Sequence, residues 1–261
     1  MFVPDELIER FLATGRLPRA WPDWEGEPAA RRQAAEAAVR EVLGRIVRWR
    51  ARKAPLSVGA APADPGAIVV ARARPMVEGL FPAAEAPSVL AYLPTCVRVV
   101  TPEAYPELIA ALSPSAAWDL ANLLLDAMGA PPLADDTPEL EGLSHACLGY
   151  VLPAAFLPEA DTDVLVHEIA HLLHSVPRGK VGLRPAQKPL LHVPTASHEL
   201  FAYACEAWSR LCTEADPRAA VALRRVGPPP VDARVDRAEL DRVLTEAAEG
   251  ASWAAIRRLA D

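Results

Sequence analysis

Histidine is scarce in this chain, with six in 261 residues. Cysteine is scarcer: Cys96, Cys147, Cys205 and Cys212 are widely spaced and form no C-x-x-C pair, which excludes a zinc ribbon. Cys205 and Cys212 lie seven apart on one expected helix and read as small buried hydrophobes. Positive charge is also short, with 27 Lys and Arg against 34 Asp and Glu and a net charge of −7. A general nucleic-acid binder would show a basic excess, so no nucleic-acid partner is expected. No run of 18 apolar residues exists, and no membrane partner or span is expected. The opening segment, MFVPDELIERFLATGRLPRA, is acidic early and lacks the long apolar core of a secretory signal. Together these absences lead us to expect a cytoplasmic, reduced protein.

What is present is apolar: 51% of residues are hydrophobic, enough for a sizeable core. Twenty-seven prolines imply interrupted segments and rigid loops. Residues 4–14 can form a short helix, and a Trp/Pro stretch with Trp21 and Trp24 follows. Residues 28–53 read as one long helix, with Val39, Val42, Leu43, Ile46 and Trp49 at helical spacing for core packing. Its basic end, Arg45 to Lys53, suits a helix C-terminus and reads as solvated. Residues 54–66 look like a linker. Ala67–Ala71, Ser88–Leu93 and Cys96–Thr101 are β-prone runs. Helices are expected at 102–112 and 114–128, then a Pro/Asp loop at 130–139 and one or two strands within 144–157. The last third reads as helical, at 216–226, 236–248 and 251–259.

Five residues carry the chemistry: His167-Glu168-Ile169-Ala170-His171, an H-E-x-x-H motif in an apolar run. On a helix, residues four apart share a face, so both imidazoles can reach one metal ion. Glu168 stands aside, where it can hold a water and act as general base. Asp161-Thr162-Asp163 offers an N-cap for this helix, and Pro158 and Pro177 bracket it. The motif marks zinc metallopeptidases. The blander alternative is a helix that carries these three side chains without chemical purpose.

A catalytic zinc takes three protein ligands and keeps one position open. The metzincin extension requires Gly and His where this chain has His174 and Pro177, so that class is excluded. The gluzincin pattern instead places a glutamate on a second helix downstream, and Glu199 stands 28 residues after His171. Its segment, Glu199-Leu200-Phe201-Ala202-Tyr203-Ala204-Cys205, resembles the E-F-F-A-E-A-F helix of the anthrax lethal factor-like metallopeptidases, a gluzincin group. The resemblance covers this segment and His167–His171. It implies a zincin fold, one Zn2+ and Glu199 as third ligand. The glutamate behind that family's ligands falls on Tyr203 here, and the family's oxyanion-stabilising tyrosine falls on His192. Either residue can donate a hydrogen bond in that role. Rivals for the third ligand are His198, which points about 100° away from Glu199 on a helix, Glu206, one heptad on along the same face, and His192. His174 shares the face of His167 but lies about 10 Å along the axis, and reads as a helix-end histidine meeting the dipole. His145 reads as a strand residue lining the cleft.

The expected fold is α+β, zincin-like and mostly helical, with a small mixed sheet beside the motif helix and the 198–211 helix facing it across the metal. Residues 1–54 form a helical N-terminal appendage that supports or covers the catalytic domain, 55–261. The expected activity is hydrolysis of a peptide or protein substrate, with Glu168 moving the proton and segment 146–152 as the edge strand to which peptide adds. Arg178, Arg184 and Lys188 read as mobile surface charge before substrate anchors. Two other readings stay open. One is a peptide hydroxylase using Fe2+ with 2-oxoglutarate, its distal carboxylate bound by Arg184 or Arg210. The other is a non-catalytic binding or regulatory module on the same scaffold.

Overall fold

The computed structural model describes residues 3–18, 27–135, 137, 140–157, 163–212, 221 and 235–260. In chain order the elements are α1 (Asp5–Thr14), α2 (Pro28–Ala51), α3 (Pro65–Leu80), α4 (Ala86–Tyr92), β1 (Val97–Val99), α5 (Tyr105–Leu108), α6 (Pro114–Ala127), β2 (Gly142–His145), β3 (Leu148–Val151), α7 (Val164–Ser175), α8 (His198–Leu211), α9 (Arg237–Glu246) and α10 (Trp253–Arg257). Helices α2 to α6 each carry a proline in their first two positions, where its missing N–H costs no hydrogen bond. The proline content therefore punctuates helix starts as well as loops. The architecture is α+β and dominated by helix.

The three strands form one mixed sheet in the order β1-β3-β2. β1 runs parallel to β3, with Val97 opposite Gly149, and β2 runs antiparallel to β3, with Gly142 opposite Val151. A two-residue turn, Ala146-Cys147, joins β2 to β3 with both residues at positive φ. That is the handedness a tight hairpin requires, taken up here without glycine. β3 is thus the central strand, hydrogen-bonded on both sides. The expected edge at 146–152 is corrected: the cleft-side edge is β2.

Two of the β-prone runs are helical. Ala67–Ala71 lies in α3, and Ser88–Leu93 covers most of α4. The Asp64 carboxylate accepts the Ala67 N–H at 2.8 Å and starts α3. Val69, Ala73, Met76, Val77 and Leu80 then recur at helical spacing and are all buried. A short β-branched run yields to the longer period. The expected 102–112 helix is a single turn, α5, continued as a tighter 3-10 turn to Ala111. The expected 216–226 helix and the Trp21/Trp24 stretch lie outside the described residues, Val221 excepted. Among the described residues no helix is long and apolar enough to cross a membrane.

Two buried clusters organise the chain. One joins α1 and α2 to α5 and α6 through Phe11, Val39, Leu43, Tyr105, Leu120 and Leu124. The other surrounds α7 and α8, closed by α3, α9 and α10. Helix α7 packs against β2 and β3 on one side and α8 on the other. Its Leu165, Val166, Ile169, Ala170, Leu172 and Leu173 are all buried. At roughly 1.5–3 kcal/mol per fully buried large aliphatic side chain, this packing holds the helix rigid. The face that carries His167, His171 and His174, with Glu168 beside it, is turned toward a cleft.

Candidate metal centre

Asp163 sets the start of α7: its Oδ1 accepts the Val166 N–H at 3.2 Å. One turn on, His167 and His171 point their Nε2 atoms at a common spot, 3.2 Å apart. Helix α8 brings Glu199 to the same spot from its first turn. Glu199 Oε2 lies 3.6 Å from His167 Nε2 and 3.5 Å from His171 Nε2. A tetrahedral zinc with bonds of about 2.0–2.1 Å spaces its ligand atoms roughly 3.3–3.4 Å apart. The three edges fit one face of such an ion, and two neutral imidazoles plus a carboxylate suit its chemistry.

The rival ligands are engaged elsewhere. Glu206 reaches the far side of His167, with Oε2 3.3 Å from Nδ1. Its Oε1 accepts the Asp163 backbone N–H at 3.0 Å. Asp163 in turn takes a 2.8 Å ion pair from Arg72 of α3. Glu206 therefore holds a proton on His167 Nδ1 and leaves Nε2 as the atom turned toward His171 and Glu199. His198 Nε2 donates to the Val193 carbonyl at 3.0 Å. His192 is exposed and does not line the cleft. His174 lies in the last turn of α7, as expected of a helix-end histidine, and is packed among other imidazoles. Burial, with His198 and His171 beside it, lowers its pKa to about 3, and its Nε2 lies 3.0 Å from His171 Nδ1.

Glu168 is buried beside the ligands, and its Oε2 accepts a 2.6 Å hydrogen bond from Ser144 of β2. Gly142, two residues earlier on the same strand face, leaves the space this carboxylate fills. Tyr203 stands one turn after Glu199, with its ring edge-on to His167 at 4.6 Å between centroids. These groups line a cleft of about 410 Å3. Its ionisable side chains among the described residues include Glu141, Glu168, Glu199 and the histidines, with no lysine or arginine. Burial, reinforced by Glu206 and Glu168, pushes the Glu141 carboxyl above the usual carboxylate range. Arg178, Arg184, Lys188 and Arg210 do not line the cleft, and neither does any described residue of 1–54. Arg178 bonds the Arg184 and Leu190 carbonyls and Glu85.

Holding a divalent ion requires a neutral His167. Burial lowers its pKa, but Glu199 and Glu206 outweigh burial and push it up to about 10. His167 and His171 hold Glu199 well below the usual carboxylate range, so it needs no deprotonation. Between pH 7 and 8 the metal-free site keeps a proton on His167 that uptake must displace. Zinc affinity should therefore rise about tenfold per pH unit over this range, with about one proton released. Calorimetry in two buffers of different ionisation heat reads that proton directly. An affinity independent of pH would mean that His167 is already neutral.

Ser144, Gly142 and the holding role of Glu206 are the parts not anticipated from sequence. A faint signal exists in Gly142-x-Ser144, small residues on one face of a strand that must lie against a helix. Comparison of the chain with protein-family models, with curated proteins and with solved structures finds no match.

Proposed function

We propose that this chain is a metal-dependent peptide hydrolase of gluzincin type. The observation that carries the reading is the triangle of His167, His171 and Glu199 donor atoms, 3.2–3.6 Å on each edge, with Glu168 lining the same cleft. A zinc ion held there supplies Lewis acidity, lowering the pKa of water toward ~7 and polarising a carbonyl. Glu168 Oε1, the oxygen not held by Ser144, takes the proton of the attacking water and returns it to the leaving amine. Tyr203, which lines the cleft beside His167, is the residue we assign to steady a developing oxyanion. β2 has no strand partner on its outer edge among the described residues, and an extended peptide pairing there would run its main chain past the metal.

The cleft favours hydrolysis over the hydroxylase reading. A 2-oxoglutarate carboxylate needs a cation, and the described lining offers carboxylates instead. A purely binding module has no use for a buried carboxylate held in place by Ser144. A cytoplasmic setting and a peptide or protein substrate remain our expectation.

Metal analysis of wild type and Glu199→Ala, purified without added metal, tests the reading. We expect about one zinc per wild-type chain and loss of most of it in the variant, since a three-ligand site needs each ligand. Peptide-library cleavage by the zinc-loaded wild type then tests hydrolysis. Iron in the wild type, or zinc at full occupancy in Glu199→Ala, would overturn the assignment.

A further inference from the structure

The two imidazole ligands are backed by different chemistry. His167 has the Glu206 carboxylate behind it, whereas His171 has another imidazole. We infer that His174 is a positioning residue for the metal centre, fixing the tautomer and ring plane of His171 as a neutral hydrogen-bond acceptor. This inference rests on the metal reading above.

His171 Nε2 faces the ligand cluster and must present a lone pair to a metal. A neutral imidazole carries one proton, so that proton sits on Nδ1. The atom facing it, 3.0 Å away, is His174 Nε2, which must therefore accept. The hydrogen of His174 is then left on its own Nδ1. The spacing follows from the helix: His174 is three residues after His171, one turn along the same face. Position alone does not aim a ring, and a second contact does. His198 stacks on His174, with centroids 3.7 Å apart and planes 18° from parallel. His198 is itself anchored to the Val193 carbonyl at 3.0 Å. The result is a line from the loop before α8, through His198 and His174, to the metal face of His171. A helix-end histidine with no such role would turn to solvent.

Partners behind metal-bound histidines are worth about 10–100-fold in affinity. Zinc binding to the purified full chain, measured by competition with a chromophoric chelator, tests the inference without reference to turnover. His174→Phe keeps a ring for the stack and removes the acceptor, and should weaken zinc binding about 10–100-fold. His174→Gln restores an acceptor at similar reach and should stay within about threefold of wild type. Equal affinity in His174→Phe and wild type overturns the inference and leaves the metal reading intact. Equal losses in both variants also overturn it, because a restored acceptor has not rescued binding. A wild type that binds no zinc overturns the metal reading and this inference together. If the Phe variant does not fold, nitrogen-15 imidazole spectra of zinc-loaded wild type decide: His174 is expected as the Nδ1–H tautomer, and an Nε2–H tautomer overturns the assignment.

Discussion

If the chain is the zinc-dependent hydrolase proposed above, Glu168→Gln should bind zinc as the wild type does and lose peptide hydrolysis, with kcat/KM falling by about 10²–10⁴-fold. Glutamine has the shape of glutamate, and its amide oxygen can still accept the Ser144 hydroxyl that meets Oε2 at 2.6 Å. Neither oxygen of Glu168 belongs to the His167, His171 and Glu199 triangle, so on the proposed reading zinc binding there should be unchanged. What disappears is the basicity of the carboxylate that lines the cleft. The expected fall corresponds to about 3–5 kcal/mol of lost transition-state stabilisation, at 1.36 kcal/mol per tenfold. Zinc content measured on the sample used for kinetics separates this result from simple loss of metal. Undiminished turnover by a zinc-loaded Glu168→Gln protein would remove Glu168 from the chemistry.

The site was legible in the sequence to the extent that it is local. Two histidines four apart on a helix must share a face, and a capping aspartate with an apolar run made that helix readable. Helix α8 was readable to its ends because its aromatic and alanine pattern has a single period. Distant pairings were less visible. Seven residues beyond Glu199, Glu206 lies on the same face, so periodicity alone offers both as ligands. Only the packing of α8 against the first turn of α7 sends Glu206 behind His167, where Asp163 N–H also claims it. His192 aligned with a tyrosine of the resembled group, yet the loop before α8 leaves it exposed. The sheet was harder still. Strands of three or four residues carry too few alternations to distinguish an edge from a centre, and Ile68-Val69-Val70 mimics a strand inside α3.

Gly142→Ala should reduce kcat/KM by about 10²-fold without unfolding the protein or emptying the metal site. A Cβ at Gly142 would sit 2.6 Å from Glu168 Oε1, 2.7 Å from its Cγ and 2.8 Å from its Cδ, all inside van der Waals contact. Gly142 is paired to Val151 in the sheet, so β2 cannot easily retreat. The carboxylate must yield instead, and its exits are few. Ser144 holds Oε2, and the residue is buried. Displacing a reacting group by about 1 Å costs on the order of 10²-fold. Stability should change little. Alanine regains roughly 0.5–1 kcal/mol of chain entropy over glycine in a strand, which offsets part of the strain. The decisive measurement is the double variant. If Gly142 acts only by making room for the base, adding Gly142→Ala to Glu168→Gln should cost much less than it costs alone, because the group it misplaces no longer works as a base. An undiminished second loss would place the importance of Gly142 elsewhere, in the edge strand that receives the peptide.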